Sequence, residues 1–199
     1  MGNQKQSVGR PKSFDENEVL LLAMNHFWEY GYNNSTLDSL LGVMGIKKSS
    51  FYSTFKSKEK LFSLSLELHR QEMSKQLADL EKAFGPRETM LMIANMTLDE
   101  LKNTGKIKGC LLVNSGQECY QKYSSLSYQL SAEQVFIMNQ LTGFIDRAKS
   151  LGEIQSKKDS KKIAGRYLST LNGLFVTIRA GLEDEIVDDI LKSLEEILQ

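Results

Sequence analysis

Residues that interrupt helices are scarce in this sequence. Only two of its 199 residues are proline, Pro11 and Pro86. Apolar residues recur at steps of three and four almost throughout, and no stretch keeps the alternation of a half-buried strand. The sequence therefore predicts an all-α fold.

Cysteine is also scarce, which excludes a disulfide framework. Cys110 and Cys119 lie on one predicted helix, where they would point to opposite sides, about 13 Å apart along its axis. We therefore expect free thiols in a reducing cytoplasm.

The sequence lacks the groups that membrane proteins and enzymes require. No apolar run approaches the roughly 18 residues of a membrane span, and the N-terminus has no signal-peptide core. His26 and His69 have no companion at the spacing of a zinc site or a catalytic triad, and no glycine loop fits a phosphate-binding motif. We expect a cytoplasmic protein that is not an enzyme, has no membrane partner, and uses no metal or cofactor.

Charge is balanced overall but not locally. The chain has 25 basic and 25 acidic residues. Residues 46–62 nevertheless carry five lysines against one acid, Glu59, whereas residues 183–199 carry seven acids against one lysine, Lys192. The first segment favours a polyanionic partner, although solvated lysine-rich helix faces are also common.

A helix-turn-helix pattern overlaps the lysine-rich segment. Ser35 or Thr36 is placed to cap a short helix, and a glycine then permits a tight turn. A second short helix is predicted from about Lys48 to Phe55, with Phe51 and Phe55 four residues apart on its inner face. The residues left toward solvent are Lys48, Ser49, Ser50, Tyr52 and Thr54.

The solvent-facing side chains of this second helix match a DNA contact surface. In a helix-turn-helix the second helix enters the major groove, where short polar side chains reach base edges and lysines bind phosphates. The Tyr52 hydroxyl is placed for a phosphate, and Lys58 adds charge where the next helix begins. The predicted partner is double-stranded DNA.

Residues 9–62 closely resemble the N-terminal domain of the TetR (tetracycline-repressor-like) family of bacterial transcriptional regulators. The resemblance lies mainly in FWEYGY, STLDSLLGVMGI and SSFYSTFKSKEKLF. It implies a set of residues that contact DNA. Those residues are Thr36, Tyr52 and Lys58 at phosphates and Lys48, Ser49 and Ser50 at or near bases.

Two positions depart from the family pattern. Lys47 stands where many members have a small serine or threonine cap, so the second helix is either less well capped or gains another phosphate contact. Thr54 replaces a frequent histidine, which leaves its part in DNA binding open. Arg10 and Lys12 form either a minor-groove arm or a tail without a role.

The rest of the chain is long enough for a second helical domain. We assign residues 1–13 to a flexible basic tail, 14–56 to the helix-turn-helix domain and 57–199 to a C-terminal domain. The resemblance implies that this last domain binds a small-molecule effector and forms a homodimer. The apolar stripes of the last two helices form either the dimer interface or, in part, the core of one chain. Their members are Tyr167, Leu171, Leu174, Phe175, Ile178, Ile186, Ile190 and Leu194.

Candidates for effector binding lie in the middle of the chain. Asn114, Gln117 and Glu118 are polar positions on an otherwise apolar segment, where they either orient a ligand or face solvent. Soft and aromatic residues nearby form either a cavity wall or ordinary core. Those residues are Met90, Met92, Met96, Phe136, Met138 and Phe144.

Cys110 stands at the start of the segment GCLLVNSGQEC. Some regulators that this branch resembles sense oxidants or electrophiles through a cysteine in the same Gly-Cys setting. A helix N-terminus, with Lys106 and Lys108 nearby, is expected to stabilise the thiolate of Cys110. The alternative is a buried, unreactive thiol.

Together these patterns predict a transcriptional regulator that binds a palindromic operator as a dimer. The family resemblance makes repression the default and activation the alternative. Release is expected from a small-molecule effector or from modification of Cys110. A hypothesis from a different class is a helical protein-interaction module without a DNA target, whose lysines bind an acidic partner.

Overall fold

A computed structural model describes residues 14–105 and 107–199 of the chain. Within those residues the backbone forms nine helices and no strand, which confirms the all-α prediction. The helices are α1 (Glu16–Asn34), α2 (Leu37–Met44), α3 (Lys48–Thr54), α4 (Lys58–Phe84), α5 (Pro86–Thr104), α6 (Leu111–Cys119), α7 (Ser124–Ser150), α8 (Ser160–Arg179) and α9 (Asp184–Ile197). The predicted tail of residues 1–13, with Arg10 and Lys12, and also Lys106 lie outside the described residues. None of the helices described combines the length and the hydropathy needed to cross a membrane.

Helix α1 begins at a side-chain cap and bends near its end. The Asp15 carboxylate accepts hydrogen bonds from the backbone nitrogens of Asn17 at 2.8 Å and Glu18 at 3.2 Å, which satisfies two amides that the helix itself leaves unpaired. Gly31 interrupts the helical backbone with a φ of 80°, a conformation that glycine adopts without strain. Beyond Gly31, helix α1 continues to its end at Asn34.

The first hydrophobic core joins α1–α4 to α6 and the start of α7. Phe27 and Phe62 are fully buried in it, and their rings meet edge to face with centroids 4.9 Å apart. Leu111 of α6 and Leu126 of α7 belong to the same core. The helix-turn-helix unit is therefore packed directly against two helices from the second half of the chain.

The second core lies among α5, α7, α8 and α9. Tyr167 of α8 is fully buried there, and its hydroxyl donates to the backbone carbonyl of Met90 on α5. Helix α4 reaches both cores, because Leu61 and Leu66 are buried in the first and Leu77 packs against the second. A single 27-residue helix thus connects the two halves of the molecule.

The structure corrects part of the predicted dimer interface. Five of the eight residues are buried within one chain, because α8 packs between α7 and α9. These five are Tyr167, Leu171, Leu174, Ile178 and Leu194. A partner chain cannot bury them further, so they are core residues, as the alternative interpretation of the stripes allowed.

Some apolar surface of α8 and α9 remains exposed. Phe175 and Ile190 are partly buried against the second core, and Ile186 is 43% exposed. Two exposed residues that the sequence did not single out lie on the same two helices or between them, Val176 at 55% and Leu182 at 48%. The solvent-facing apolar surface is therefore narrower than the sequence stripes and includes different members.

Candidate nucleic-acid interface and internal cavity

The geometry of α2 and α3 is that of a helix-turn-helix. Thr36 caps α2, its hydroxyl accepting a hydrogen bond from the Ser39 nitrogen at 3.1 Å. Gly45 ends α2 in the left-handed conformation, with a φ of 63°. Only Ile46 and Lys47 then separate that glycine from the start of α3. The sequence had placed both the cap and the turn, because each depends on a residue's own conformational preference.

Helix α3 buries one face and presents the other. Phe51 is fully buried and Phe55 is 2% exposed, so the two rings fix the helix to the first core. Tyr52 is 46% exposed, and Lys48 and Ser49 are also exposed on the opposite side. Ser50 is half-buried at the edge of this face. We call the exposed face formed by Lys47, Lys48, Ser49 and Tyr52 the α3 surface.

Lys47 precedes α3 and makes no side-chain capping hydrogen bond there. Its side chain is exposed beside Lys48, so both ammonium groups belong to the α3 surface. The start of α3 is therefore uncapped by a side chain, which agrees with the first of the two alternatives for Lys47.

Two predicted DNA-contacting side chains face away from the α3 surface. The Thr54 hydroxyl is buried and has no hydrogen-bond partner among the described residues. Lys58 is half-buried, and its Nζ lies 4.4 Å from the centroid of the Tyr32 ring. Burial lowers the pKa of Lys58, and the Glu118 carboxylate opposes that change. A phosphate contact from Lys58 therefore requires a rotamer different from the one in this structure.

A cavity of about 390 Å³ lies between α4, α5, α7 and α8, with the beginning of α6 at one side. Its lining is mainly apolar. Representative residues are Met73, Leu77, Ile93, Met96, Phe136 and Phe175. Of the soft and aromatic residues singled out from the sequence, Met96 and Phe136 line this cavity, whereas Met90 and Phe144 are buried in the second core.

A few polar side chains interrupt the apolar lining. The Glu133 carboxylate of α7 is buried, and its Oε1 lies 3.7 Å from Arg70 Nη1 of α4. His69 is also buried, and burial lowers its pKa to about 4, so its ring is neutral near pH 7. Asn172 of α8 lines the cavity, and its buried amide oxygen has no hydrogen-bond partner among the described residues.

Trp28 of α1 forms part of the cavity wall. Its Nε1 donates to the Gly109 carbonyl at 2.8 Å, just before α6 begins. Its ring meets His69 edge to face, with centroids 4.9 Å apart. The neighbouring Lys108 donates to Asn25 Oδ1 of α1 at 3.1 Å. The helix-turn-helix half of the chain therefore contacts both the cavity and the segment that leads into α6.

The structure corrects the predicted roles of three polar residues of α6. None of the three belongs to the cavity lining. Asn114 donates to the Lys108 carbonyl at 2.9 Å, and Gln117 lines a shallow surface depression. Glu118 accepts a hydrogen bond from the Asn33 nitrogen of α1 at 2.8 Å. Short helix α6 turns these side chains toward the preceding loop, solvent and α1, and it turns Leu111 and Leu112 toward the cavity.

Cys110 lines the cavity, but its thiolate is not stabilised as the sequence predicted. Burial raises the pKa of Cys110, and this outweighs the opposing effect of hydrogen bonds from the backbone of Val113 and Leu112 at the start of α6. Lys108, expected to assist, is instead bonded to Asn25. Cys119 is fully buried, and burial is the main reason that its pKa rises to about 11.

Sequence reasoning missed Trp28, His69, Glu133 and Asn172 as cavity residues. These side chains lie on helices distant in the sequence, so no local spacing relates them. An isolated asparagine on an amphipathic helix has no sequence signal that separates a cavity position from a surface position.

The comparisons with known proteins match an N-terminal segment to a family model and nearly the whole chain to two regulators. Residues 19–64 match the family model described as bacterial regulatory proteins, tetR family. The chain is 27% identical over 192 residues to the uncharacterized HTH-type transcriptional regulator YezE of Bacillus subtilis, covering 94% of this chain and 98% of YezE. It is 26% identical over 203 residues to the HTH-type transcriptional repressor ComR of Escherichia coli, covering 98% of this chain and 89% of ComR.

Solved structures show the same fold over nearly the whole chain. A cysteine mutant of the TetR family transcriptional regulator CifR, solved with operator DNA, superposes with a TM-score of 0.78 and 25% identity, covering 95% of this chain and 98% of CifR. Reduced Escherichia coli NemR gives a TM-score of 0.80 at 20% identity, covering 92% of this chain and 96% of NemR, which shows the fold alone.

Proposed function

We propose that this chain, whose residues 19–64 match the tetR family model, is a TetR-family transcriptional regulator, a cytoplasmic repressor that binds a palindromic operator as a homodimer. A small-molecule effector in the internal cavity would release it. The observation that carries the proposal is the α3 surface, a polar and basic helix face presented after a tight turn and anchored by buried Phe51.

Each residue of the α3 surface has a role that its chemistry fits. Lys48 and Ser49, with half-buried Ser50 beside them, are placed at the beginning of α3, the part of a recognition helix that approaches base edges. Lys47, Tyr52 and the α2 cap Thr36 bind phosphates. Lys58 joins them after rotating away from Tyr32, and Thr54 supports α3 from its buried side.

Dimerisation uses the apolar surface that one chain leaves exposed on α8 and α9. It centres on Val176 and Ile186, with Leu182 and the partly buried Phe175 and Ile190 beside them. One α3 helix contacts too few bases to select an operator, so two-fold symmetry supplies a second half-site. This interface replaces the broader stripe predicted from the sequence.

The effector acts where the cavity meets α1. Trp28 forms part of the cavity wall and holds the segment before α6 through its hydrogen bond to Gly109. A ligand that prefers a different position of this wall changes the position of α1, and with it the spacing of the two α3 helices. Modification of Cys110 acts on the same wall, but the raised pKa of this thiol favours reversible ligand binding over oxidation as the usual signal.

Binding to duplex DNA over a salt series tests the proposal. A pool of random duplexes is first selected for binding, and affinity for the selected sequence is then measured between low and physiological salt. We expect a steep loss of affinity with salt, because several phosphates per dimer exchange counterions for lysines. A folded protein that selects no duplex would instead support the interaction-module hypothesis, and transcription from a promoter bearing the selected site separates repression from activation.

A further inference from the structure

We infer that the internal cavity takes an uncharged, largely apolar molecule with one hydrogen-bonding group, and that Asn172 recognises this group. The inference rests on the proposed function only in that it treats the cavity as the effector site. It concerns the chemistry of the ligand, which neither the helix-turn-helix nor the family fixes.

The size and lining of the cavity set the first part of the inference. A space of about 390 Å³ lies within the range of roughly 300–1,000 Å³ that small-molecule sites occupy. Leucine, isoleucine, methionine and phenylalanine side chains from five different helices form most of its surface. A ligand that fills this space is therefore mainly hydrocarbon.

The charged pair in the lining excludes a ligand with a strong net charge. Glu133 is 6% exposed, and Arg70 is its ion-pair partner at 3.7 Å. An anionic ligand would draw Arg70 away and leave a buried carboxylate without its cation, and a cationic ligand would have to displace Arg70, whose side chain is 39% exposed, from Glu133. Either exchange breaks the existing pair to form a new one and also desolvates the charge of the ligand, so neither favours binding.

The other titratable groups in the lining do not change this conclusion. His69 is neutral near pH 7 because it is buried, and the Cys110 thiol is protonated for the same reason. Glu100 also lines the cavity, but it is only half-buried, so water solvates its carboxylate without help from a ligand. No lining group is therefore left as a buried, unpaired charge.

Asn172 provides the polar contact. Three buried side-chain oxygens lack a hydrogen-bond partner among the described residues, those of Thr54, Ser115 and Asn172, and only Asn172 lines the cavity. Its amide can both donate and accept, and rotation about its last side-chain bond presents either atom to a ligand. A buried amide oxygen without a partner favours a ligand that supplies a donor.

Binding of a ligand in the cavity can be followed through an intrinsic fluorophore of the chain. Trp28 is its single tryptophan and forms part of the cavity wall, so tryptophan emission reports occupancy without DNA. Four probes share one carbon skeleton and absorb no light near tryptophan: cyclohexylbutanol, cyclohexylbutanoate, cyclohexylbutylammonium and butylcyclohexane. Each is titrated into the full-length protein, and calorimetry checks the affinities.

We expect the alcohol to bind most tightly. It should exceed the hydrocarbon by about fivefold, the value of one additional neutral hydrogen bond, and exceed both ions by about tenfold or more, because they must be desolvated. Asn172→Leu should remove the advantage of the alcohol over the hydrocarbon and keep binding of the hydrocarbon. Asn95→Leu, at an exposed position on α5 outside the cavity, should keep the wild-type order.

Three results would overturn the inference: tighter binding of the carboxylate or the ammonium, no binding of any probe to the folded protein, or an unchanged alcohol preference in Asn172→Leu. If that variant does not fold, the order of the four affinities for the wild-type protein still decides whether the inference holds. Because the titrations contain no DNA, they are independent of the operator experiment. A protein that binds the alcohol but no duplex keeps the ligand assignment and loses the proposed function.

Discussion

The Glu118 carboxylate on α6 accepts a hydrogen bond from the Asn33 nitrogen on α1 at 2.8 Å. The same carboxylate lies against Gly31, where a β-carbon would overlap it. The bend in α1 and the position of α6 are therefore matched to each other, and this contact joins the helix-turn-helix unit to the helix that borders the cavity.

Gly31→Ala should destabilise the protein by about 2 kcal/mol, because alanine is strained at positive φ and its β-carbon collides with Glu118. Urea unfolding followed by circular dichroism measures the change. In the double variant with Glu118→Ala the collision is gone but the backbone strain remains, so the two losses should not add. If the loss in free energy of unfolding of the double variant equals the sum of the two single losses, the two residues do not interact.

Acid should destabilise the native state partly through His69. Burial lowers its folded-state pKa to about 4, whereas the unfolded chain keeps the usual value. The neutral ring therefore contributes stability above about pH 6.5 that is lost as the pH falls toward 4, at most about 3 kcal/mol. His69→Phe should flatten the stability profile in this window. His26→Phe is the matched control and should flatten it less, since His26 is only partly buried.

Lys47 and Lys48 should differ in what they contribute to DNA binding. Lys47→Ala removes a phosphate contact, so it should weaken binding to all duplexes and reduce the salt slope by about 0.9 for each subunit's lost contact. Lys48→Ala should mainly reduce the preference for the selected operator over random duplex. Fluorescence anisotropy at several salt concentrations gives both quantities. Lys157→Ala, exposed and remote from α3, should change neither.

Introducing an aspartate should have different effects at the exposed and at the buried positions of the apolar stripes on α8 and α9. Ile186→Asp should give folded monomers that bind DNA poorly, because Ile186 is 43% exposed in one chain. Leu174→Asp should unfold the subunit, because Leu174 is fully buried and an unpaired carboxylate would enter the core. Sedimentation measures whether each variant is a monomer or a dimer, and circular dichroism measures whether it is folded. A wild-type protein that sediments as a monomer at micromolar concentration would contradict the proposed dimer.

The native thiols should react slowly with an alkylating agent. Burial raises the pKa of Cys110 and that of Cys119, so at pH 8 both should react with iodoacetamide more slowly than free cysteine, Cys119 by about tenfold or more. Mass spectrometry over time measures the rates, and protein in urea gives the unprotected rate. Rapid labelling of Cys110 that also abolishes DNA binding would favour the thiol over the cavity as the sensor.

Local features of the fold could be read from the sequence because they depend on neighbouring residues. The Gly45 turn and the capping of α2 by Ser35 or Thr36 follow from the preferences of single residues, and the inward position of Phe51 follows from helical spacing. These determine the helix-turn-helix and the α3 surface.

The remaining features depend on which helices meet. Helical spacing showed that Leu174 and Ile186 both lie on apolar faces, but only the packing of α8 between α7 and α9 decides which one is buried. Lys58 was expected at a phosphate, yet Tyr32 and Glu118, from distant parts of the chain, draw it inward. The Glu133–Arg70 pair and the unpaired Asn172 amide likewise arise from tertiary contacts.

The position of Trp28 limits how such a protein can be recombined. A chimaera that joins residues 14–56 to the C-terminal part of a relative would place Trp28 against a foreign cavity wall and separate it from its acceptor, the Gly109 carbonyl. Under the proposed function, the effector preference of the chimaera would change even though every residue of the acquired part is intact. A protein that combines the operator of one regulator with the effector of another therefore requires substitutions both in α1 and in the C-terminal part that Trp28 contacts.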